Sequence, residues 1–315
     1  MSVPIAQVVR SGFIEGTHYG SAVVVNSAGQ VLWSIGDVDQ TFFPRSANKF
    51  MQALAMVELG LPLRDELLAL TCSSHSGEDF HIAGVRKILQ LANAQTSDLQ
   101  CPEDYPLDRN ARETLIKQEV SKSSLFMNCS GKHAAMLLTC EVTGWDKSSY
   151  RLTDHPLQHK CAEVIERCTS EKVEVIGVDG CGAPVMSSTL TGLAKSFSTF
   201  AGPSASEDQR MIATAVKMYP EYVAGTTRDV TKLLQGLPGA IAKDGAEGVY
   251  AIGLGDGRAL AVKIDDGGQR ARIAVAMAIL RDVLGVVSQE VDGQLAKQVV
   301  LGGGQPVGNI VPLIS

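Results

Sequence analysis

Two β-hairpin signatures lie near opposite ends of this chain, with mainly helical patterns between them, and this arrangement restricts the fold more than any other feature. Near the start, Ser21-Ala-Val-Val-Val-Asn26 is a β-branched run, Ser27-Ala-Gly-Gln30 has turn composition, and Val31-Leu-Trp-Ser-Ile35 resumes the strand pattern. Near the end, Val249-Tyr-Ala-Ile-Gly-Leu254 and Ala259-Leu-Ala-Val-Lys-Ile264 flank a Gly255-Asp-Gly257 turn. Helical spacing is predicted over 46–60, where Phe50, Leu54 and Val57 recur, and around 81–94, 110–120, 132–143, 155–169, 206–218 and 270–284. Strands at both ends are most simply joined in one antiparallel sheet. The expectation is an α+β fold in one catalytic domain over 1–315. Its sheet comes from about 1–45 and 240–315 with helices on its faces, the inserted helical region covering one of them and forming a helical lobe.

Composition narrows the function. With 45% hydrophobic and 20% charged residues, 315 positions supply ample apolar side chain for a core. A net charge of -6 and no Lys/Arg run argue against nucleic acid or an anionic membrane as the main partner. No segment approaches the roughly 18 apolar residues of a membrane span, and Met1 to Arg10 lacks a basic region leading into an apolar one. A cytoplasmic location is therefore expected. Seven cysteines are an odd set, better suited to free or metal-bound thiols than to a disulfide framework.

The chemistry-bearing residues fall in short clusters. In Pro44-Arg-Ser-Ala-Asn-Lys49, Ser46 opens a predicted helix and Lys49 lies one turn on, so their side chains share a face. A serine hydroxyl needs a base, and a lysine whose charge is disfavoured by burial or by a neighbouring cation can serve. The helix start also offers unpaired N–H groups to a developing oxyanion. Ser-x-x-Lys recurs by chance, and its ordinary role is a helix cap beside a solvated lysine. Lys243-Asp-Gly245, just ahead of the last hairpin, adds a second lysine. The order Ser-x-x-Lys, a later polar serine, then Lys-x-Gly is that of serine β-lactamases and penicillin-binding proteins.

Cys72-Ser-Ser-His-Ser-Gly-Glu78 gathers hydroxyls with His75 and Glu78, both candidate substrate contacts, although a capped loop has the same composition. Asn128-Cys-Ser-Gly-Lys-His133 and Asp179-Gly-Cys-Gly-Ala-Pro184 bring Cys129, Lys132 or His133, and Cys181. Two thiolates and a nitrogen suit zinc, with His133 the nitrogen that chemistry alone prefers. Unrelated buried thiols are the plain alternative.

Taken together, Phe43-Pro-Arg-Ser-Ala-Asn-Lys49, Cys72-Ser-Ser-His-Ser-Gly-Glu78, Asn128-Cys-Ser-Gly-Lys-His133, Val178-Asp-Gly-Cys-Gly-Ala-Pro184 and Lys243-Asp-Gly-Ala-Glu-Gly248 resemble the asparaginase II family, the rhizobial-type L-asparaginases, from about Arg10 to Gly302. The resemblance implies a fold related to serine β-lactamases, penicillin-binding proteins and glutaminases, a homodimer, and hydrolysis of L-asparagine to L-aspartate and ammonia. It implies two Ser–Lys tandems, Ser46 with Lys49 and Ser74 with Lys243, with Ser73 and Ser76 as neighbours of the second serine. It places Zn2+ on Cys129, Lys132 and Cys181 rather than on His133, which stays beside the substrate. Asp179 then either supports the zinc ligands or contacts the substrate amine, and Arg45 or the zinc region is expected to hold the substrate α-carboxylate or α-amine. Zinc then orients substrate rather than generating hydroxide, since a serine nucleophile is present. The rival expectations are a glutaminase or β-lactam hydrolase with the same machinery, a zinc-hydroxide hydrolase, and a zinc-stabilised module that binds amino acids without turnover.

Overall fold

A computed structural model describes residues 2–287 and 289–314. The strands are β1 (Val3–Arg10), β2 (Phe13–Val25), β3 (Val31–Ile35), β4 (Ile176–Val178), β5 (Pro184–Met186), β6 (Ile241–Gly245), β7 (Val249–Gly253), β8 (Ala259–Ile264), β9 (Val299–Gly302) and β10 (Gln305–Pro312). The helices are α1 (Lys49–Glu58), α2 (Asp65–Thr71), α3 (Asp79–Leu91), α4 (Arg109–Lys117), α5 (Ser130–Thr143), α6 (Pro156–Thr169), α7 (Leu190–Ala201), α8 (Glu207–Met218), α9 (Pro220–Val223), α10 (Asp229–Gly236), α11 (Gln269–Ala278) and α12 (Gln289–Leu295).

The fold is α+β, and its main sheet is built from both ends of the chain in the order β6-β7-β8-β2-β1-β10-β9, antiparallel throughout. β2 is long enough to pair first with β1 and then, through Ala22–Val25, with β3. Both predicted hairpins form. In the first, Asn26 Oδ1 accepts the N–H groups of Ala28 and Gln30, and Gly29 takes the left-handed φ of 75° that the turn needs.

Helices cover both faces of this sheet, as expected. β7 and β8 are buried almost throughout, so alternate residues meet opposite layers. On one side Gly253 meets the backbone of Phe197 in α7; on the other the Tyr250 ring lies 5.5 Å from the Arg272 guanidinium of α11. α7 has no exposed stripe, which is why periodicity did not announce it: nearly all its residues are buried between sheet and helices. Among the described residues no helix is long and apolar enough to cross a membrane, and all seven cysteines are buried and free.

Two features aim the site. α5 packs against α2, and the close approach falls at Gly131, where a Cβ would lie 2.7 Å from the Leu70 carbonyl oxygen. Gly131→Ala is therefore expected to destabilise the protein by about 1–3 kcal/mol, the backbone clash outweighing the roughly 1 kcal/mol alanine gains in helix propensity. Denaturant unfolding checks this; a variant as stable as the parent would show that the two helices part without cost. Separately, β4 and β5 form a small hairpin whose tip, Asp179 to Ala183, is closed by Asp179 N–H to Ala183 O at 2.9 Å. That tip carries the Asp-Gly-Cys-Gly segment.

Candidate active site

A pocket of about 230 Å3 opens where the start of α1, the β4–β5 tip, the segment before α5, the N-terminus of α10 and the β6–β7 turn converge. Ser46, Ser74, Arg45, Cys129, Asp179 and Cys181 all line it. Five sequence clusters thus meet at one cavity.

Ser46 sits in a short 3-10 turn, Arg45–Asn48, that runs into α1. Arg45 has φ 55°, a left-handed conformation that costs a non-glycine residue of order 1–3 kcal/mol. Its side chain is tied down by Nε donating to Asp179 Oδ1 at 2.6 Å, and its Nη1 lies 3.8 Å from Glu247 Oε1.

Lys49 is buried, at 1% exposure. Its amine donates to the Ser73 carbonyl, to Ser74 Oγ at 3.1 Å and to Cys129 Sγ at 3.1 Å. It makes no hydrogen bond to Ser46 among the described residues. Lys243, on β6, is fully buried and also donates to Ser74 Oγ at 3.1 Å, as well as to Asp244 O at 2.8 Å and Asp244 Oδ1 at 2.5 Å. Ser74 Oγ therefore bridges two amines. Its neighbours do not: Ser76 Oγ donates to Ala224 O, and Ser73 Oγ is buried with no hydrogen-bond partner among the described residues.

Burial, aided by the charges of Lys49 and Arg228, brings the Lys243 ammonium down to about 8 despite Asp244 pulling the other way. Asp244 is buried too, but Lys243, Arg228 and Arg272 outweigh that cost and hold its carboxyl below the usual range. Asp244 Oδ2 accepts from Arg228 Nη2 at 2.7 Å and from Arg272 Nη2 at 3.3 Å.

On the opposite wall Lys132 Nζ donates to Cys181 Sγ at 3.3 Å, and Cys129 lies beside Cys181. The neighbouring Cys129, with Lys132 and His133, holds Cys181 far below the usual thiol range, while Cys181 and burial push the Cys129 thiol up. Burial opposes the charge of Lys132, but Cys181, Cys129 and Asp179 outweigh it and raise the amine above its ordinary range. His133 Nδ1 pairs with the Tyr150 hydroxyl at 2.6 Å, leaving Nε2 buried and, among the described residues, without a conventional hydrogen-bond partner. Two sulfurs, an amine and an orphaned imidazole nitrogen are a donor set that fits zinc.

His75 and Glu78, expected as substrate contacts, do not line the pocket. His75 is buried with Nε2 donating to Ser130 Oγ at 2.8 Å and Nδ1 accepting the Gly77 N–H, so it braces the loop against α5; burial holds it neutral. Glu78 opens α3 and accepts from the Thr226 N–H and hydroxyl. His133 likewise sits behind the thiols rather than on the wall. The residues that pattern alone missed are Asp244, Arg228 and Arg272. Asp244 stood in plain view as the middle of Lys-Asp-Gly, but Arg228 and Arg272 belong to no motif.

A family model described as L-asparaginase II matches residues 6–312. No curated protein matches the chain. Similar solved structures include a beta-lactamase from Mycobacterium bovis, 18% identical over 85% of this chain and 95% of that one, with a TM-score of 0.46. Mglu in its native form is 13% identical over 96% of this chain and 74% of that one, with a TM-score of 0.49. A putative beta-lactamase from Bacteroides dorei is 14% identical over 84% and 93%, with a TM-score of 0.43.

Proposed function

Because the chain belongs to the L-asparaginase II family and is an amidohydrolase, we propose that it hydrolyses the side-chain carboxamide of L-asparagine through a serine ester. The observation that carries this is Ser74 Oγ held 3.1 Å from two buried amines on the wall of a pocket that Ser46 also lines. Ser46 attacks the carboxamide carbon, with N–H groups at the start of its helix facing the oxyanion. Its proton enters the chain Lys49–Ser74–Lys243, and the same chain returns a proton to the departing ammonia. Water then cleaves the aspartyl ester.

The proposal includes zinc on Cys129, Lys132 and Cys181, where the metal would add a fixed positive charge beside Asp179 that orients substrate. It also includes a homodimer in a reducing cytoplasm, where seven buried thiols stay free.

A second reading makes Ser74 the nucleophile, because its hydroxyl, and not that of Ser46, touches both lysines. Ammonia release from L-asparagine, L-glutamine and a β-lactam tests the substrate directly. A preference for glutamine would replace it, since one methylene changes binding by only about 1–3 kcal/mol.

Lys243 also fixes a pH dependence. The charged and titratable groups facing it are Asp244, Lys49, Arg228 and the Cys72 thiol, the last pushed up to about 12 by burial. With Lys243 required as a base, kcat/KM is expected to rise with pH along a limb centred near 8. A flat profile from pH 6.5 to 9.5 would remove Lys243 from that role.

A further inference from the structure

Three arginines line the pocket, and their surroundings differ. Arg45 stands between Asp179 and Glu247, so two carboxylates already offset its charge. Arg272 lies deeper, at 3% exposure, and is committed to Gly245 O, Asp229 and Asp244. Arg228 differs from both. Its side chain is 23% exposed, and Nη2 holds Asp244 Oδ2 at 2.7 Å. Among the described residues its Nε and Nη1 donate to no protein acceptor. Asp244 is shared by Lys243, Arg228 and Arg272, so this wall keeps an excess of positive charge even with Asp229 behind it. The Asp179 wall, in contrast, offers a carboxylate that suits an ammonium.

We propose that Arg228 is the carboxylate-binding residue of this pocket, with its unpaired guanidinium N–H groups receiving the α-carboxylate of the amino-acid amide. The inference rests on the amidohydrolase function proposed above and names the part of the substrate that this wall selects. A guanidinium held at one nitrogen presents the rest of its fork to a planar carboxylate. The zwitterion then lies across the pocket, ammonium toward Asp179 and carboxylate toward Arg228. Its carboxamide falls between them, where Ser46 and Ser74 line the cavity. Asp244 links the two tasks, since one of its oxygens meets Arg228 and the other meets Lys243.

The test compares L-asparagine with 3-aminopropanamide, the same molecule with hydrogen in place of the α-carboxylate. KM for asparagine is read from ammonia release, and 3-aminopropanamide is measured as a competitive inhibitor. Arg228→Gln is expected to raise KM for asparagine by about 10- to 100-fold, the loss of a charge-assisted pair, while the inhibition constant of 3-aminopropanamide moves by less than about two-fold. Arg228→Lys, which keeps the charge but not the fork, should fall between, and it supplies the same comparison if the glutamine variant does not fold. Equal weakening of both compounds would overturn the proposal. So would an asparagine-selective loss in Arg45→Gln with none in Arg228→Gln. If the wild-type protein acts on a different amino-acid amide and not on asparagine, the substrate assignment above falls, and the same variants measured on that amide and its decarboxylated analogue decide the role of Arg228.

Discussion

Ser46→Ala is expected to lower kcat on L-asparagine by about 10^4- to 10^6-fold and to leave no acyl adduct detectable by intact mass spectrometry during turnover. The side chain lost is small and only part-buried at the mouth of a 3-10 turn, so stability should change by less than about 1 kcal/mol. The expected loss is far larger than that structural effect, which makes the result easy to read. Ser74→Ala is the necessary companion. It removes the hydroxyl that receives hydrogen bonds from Lys49 and Lys243 and leaves two buried amines facing each other. If Ser46 is the nucleophile, the Ser74 variant still forms an adduct on Ser46, only more slowly. If the adduct instead survives in Ser46→Ala and maps to Ser74, the second reading holds and the roles exchange.

Lys243→Met is expected to reduce kcat/KM by about 10^2- to 10^4-fold and to abolish the limb centred near pH 8. Its effect on stability has an unusual sign. Removing one member of a buried ion pair commonly costs about 3–5 kcal/mol, because the other charge is stranded. Here Asp244 keeps Arg228 and Arg272, so most of that cost is absent. The folded protein holds Lys243 at about 8 against an ordinary 10.5, so between those values the unfolded chain binds more protons than the folded one. Wild-type stability therefore falls as pH drops from about 10.5 to about 8, by roughly 3 kcal/mol from this group at about 1.4 kcal/mol per pH unit, and loses nothing more from it below that. Lys243→Met lacks this dependence. Denaturant unfolding of both proteins at pH 7, 8.5 and 10 should show the variant gaining on the wild type as pH falls. A constant difference would mean that Lys243 titrates alike in both states.

Much of the fold was legible because its signals are local. The two hairpins carry alternating or β-branched runs around turn residues, and α3, α5, α6 and α8 carry helical spacing close to their observed limits. α7 was not legible, since a helix buried all round has no stripe, and β4 and β5 are only three residues each. In the site, clusters of hydroxyls, thiols and lysines pointed to Ser46, Lys49, Ser74, Lys243, Cys129, Lys132 and Cys181. Pattern also nominated His75 and Glu78, whose polar groups turn out to brace a loop and a helix start. A histidine that caps a turn and one that touches substrate look the same as letters.

What the sequence determined alone was the identity of the chemical groups and the elements that carry them, because side-chain period and turn preference act within a few residues. Only the tertiary structure decided which groups meet. It sets Ser74 between a helix lysine and a strand lysine, commits Lys49 to Ser73, Ser74 and Cys129, and surrounds Asp244 with three cations. It also decided protonation, since the charge state of Lys243 depends on water being excluded by segments that are remote along the chain. Those contacts are products of packing, and no local pattern encodes them.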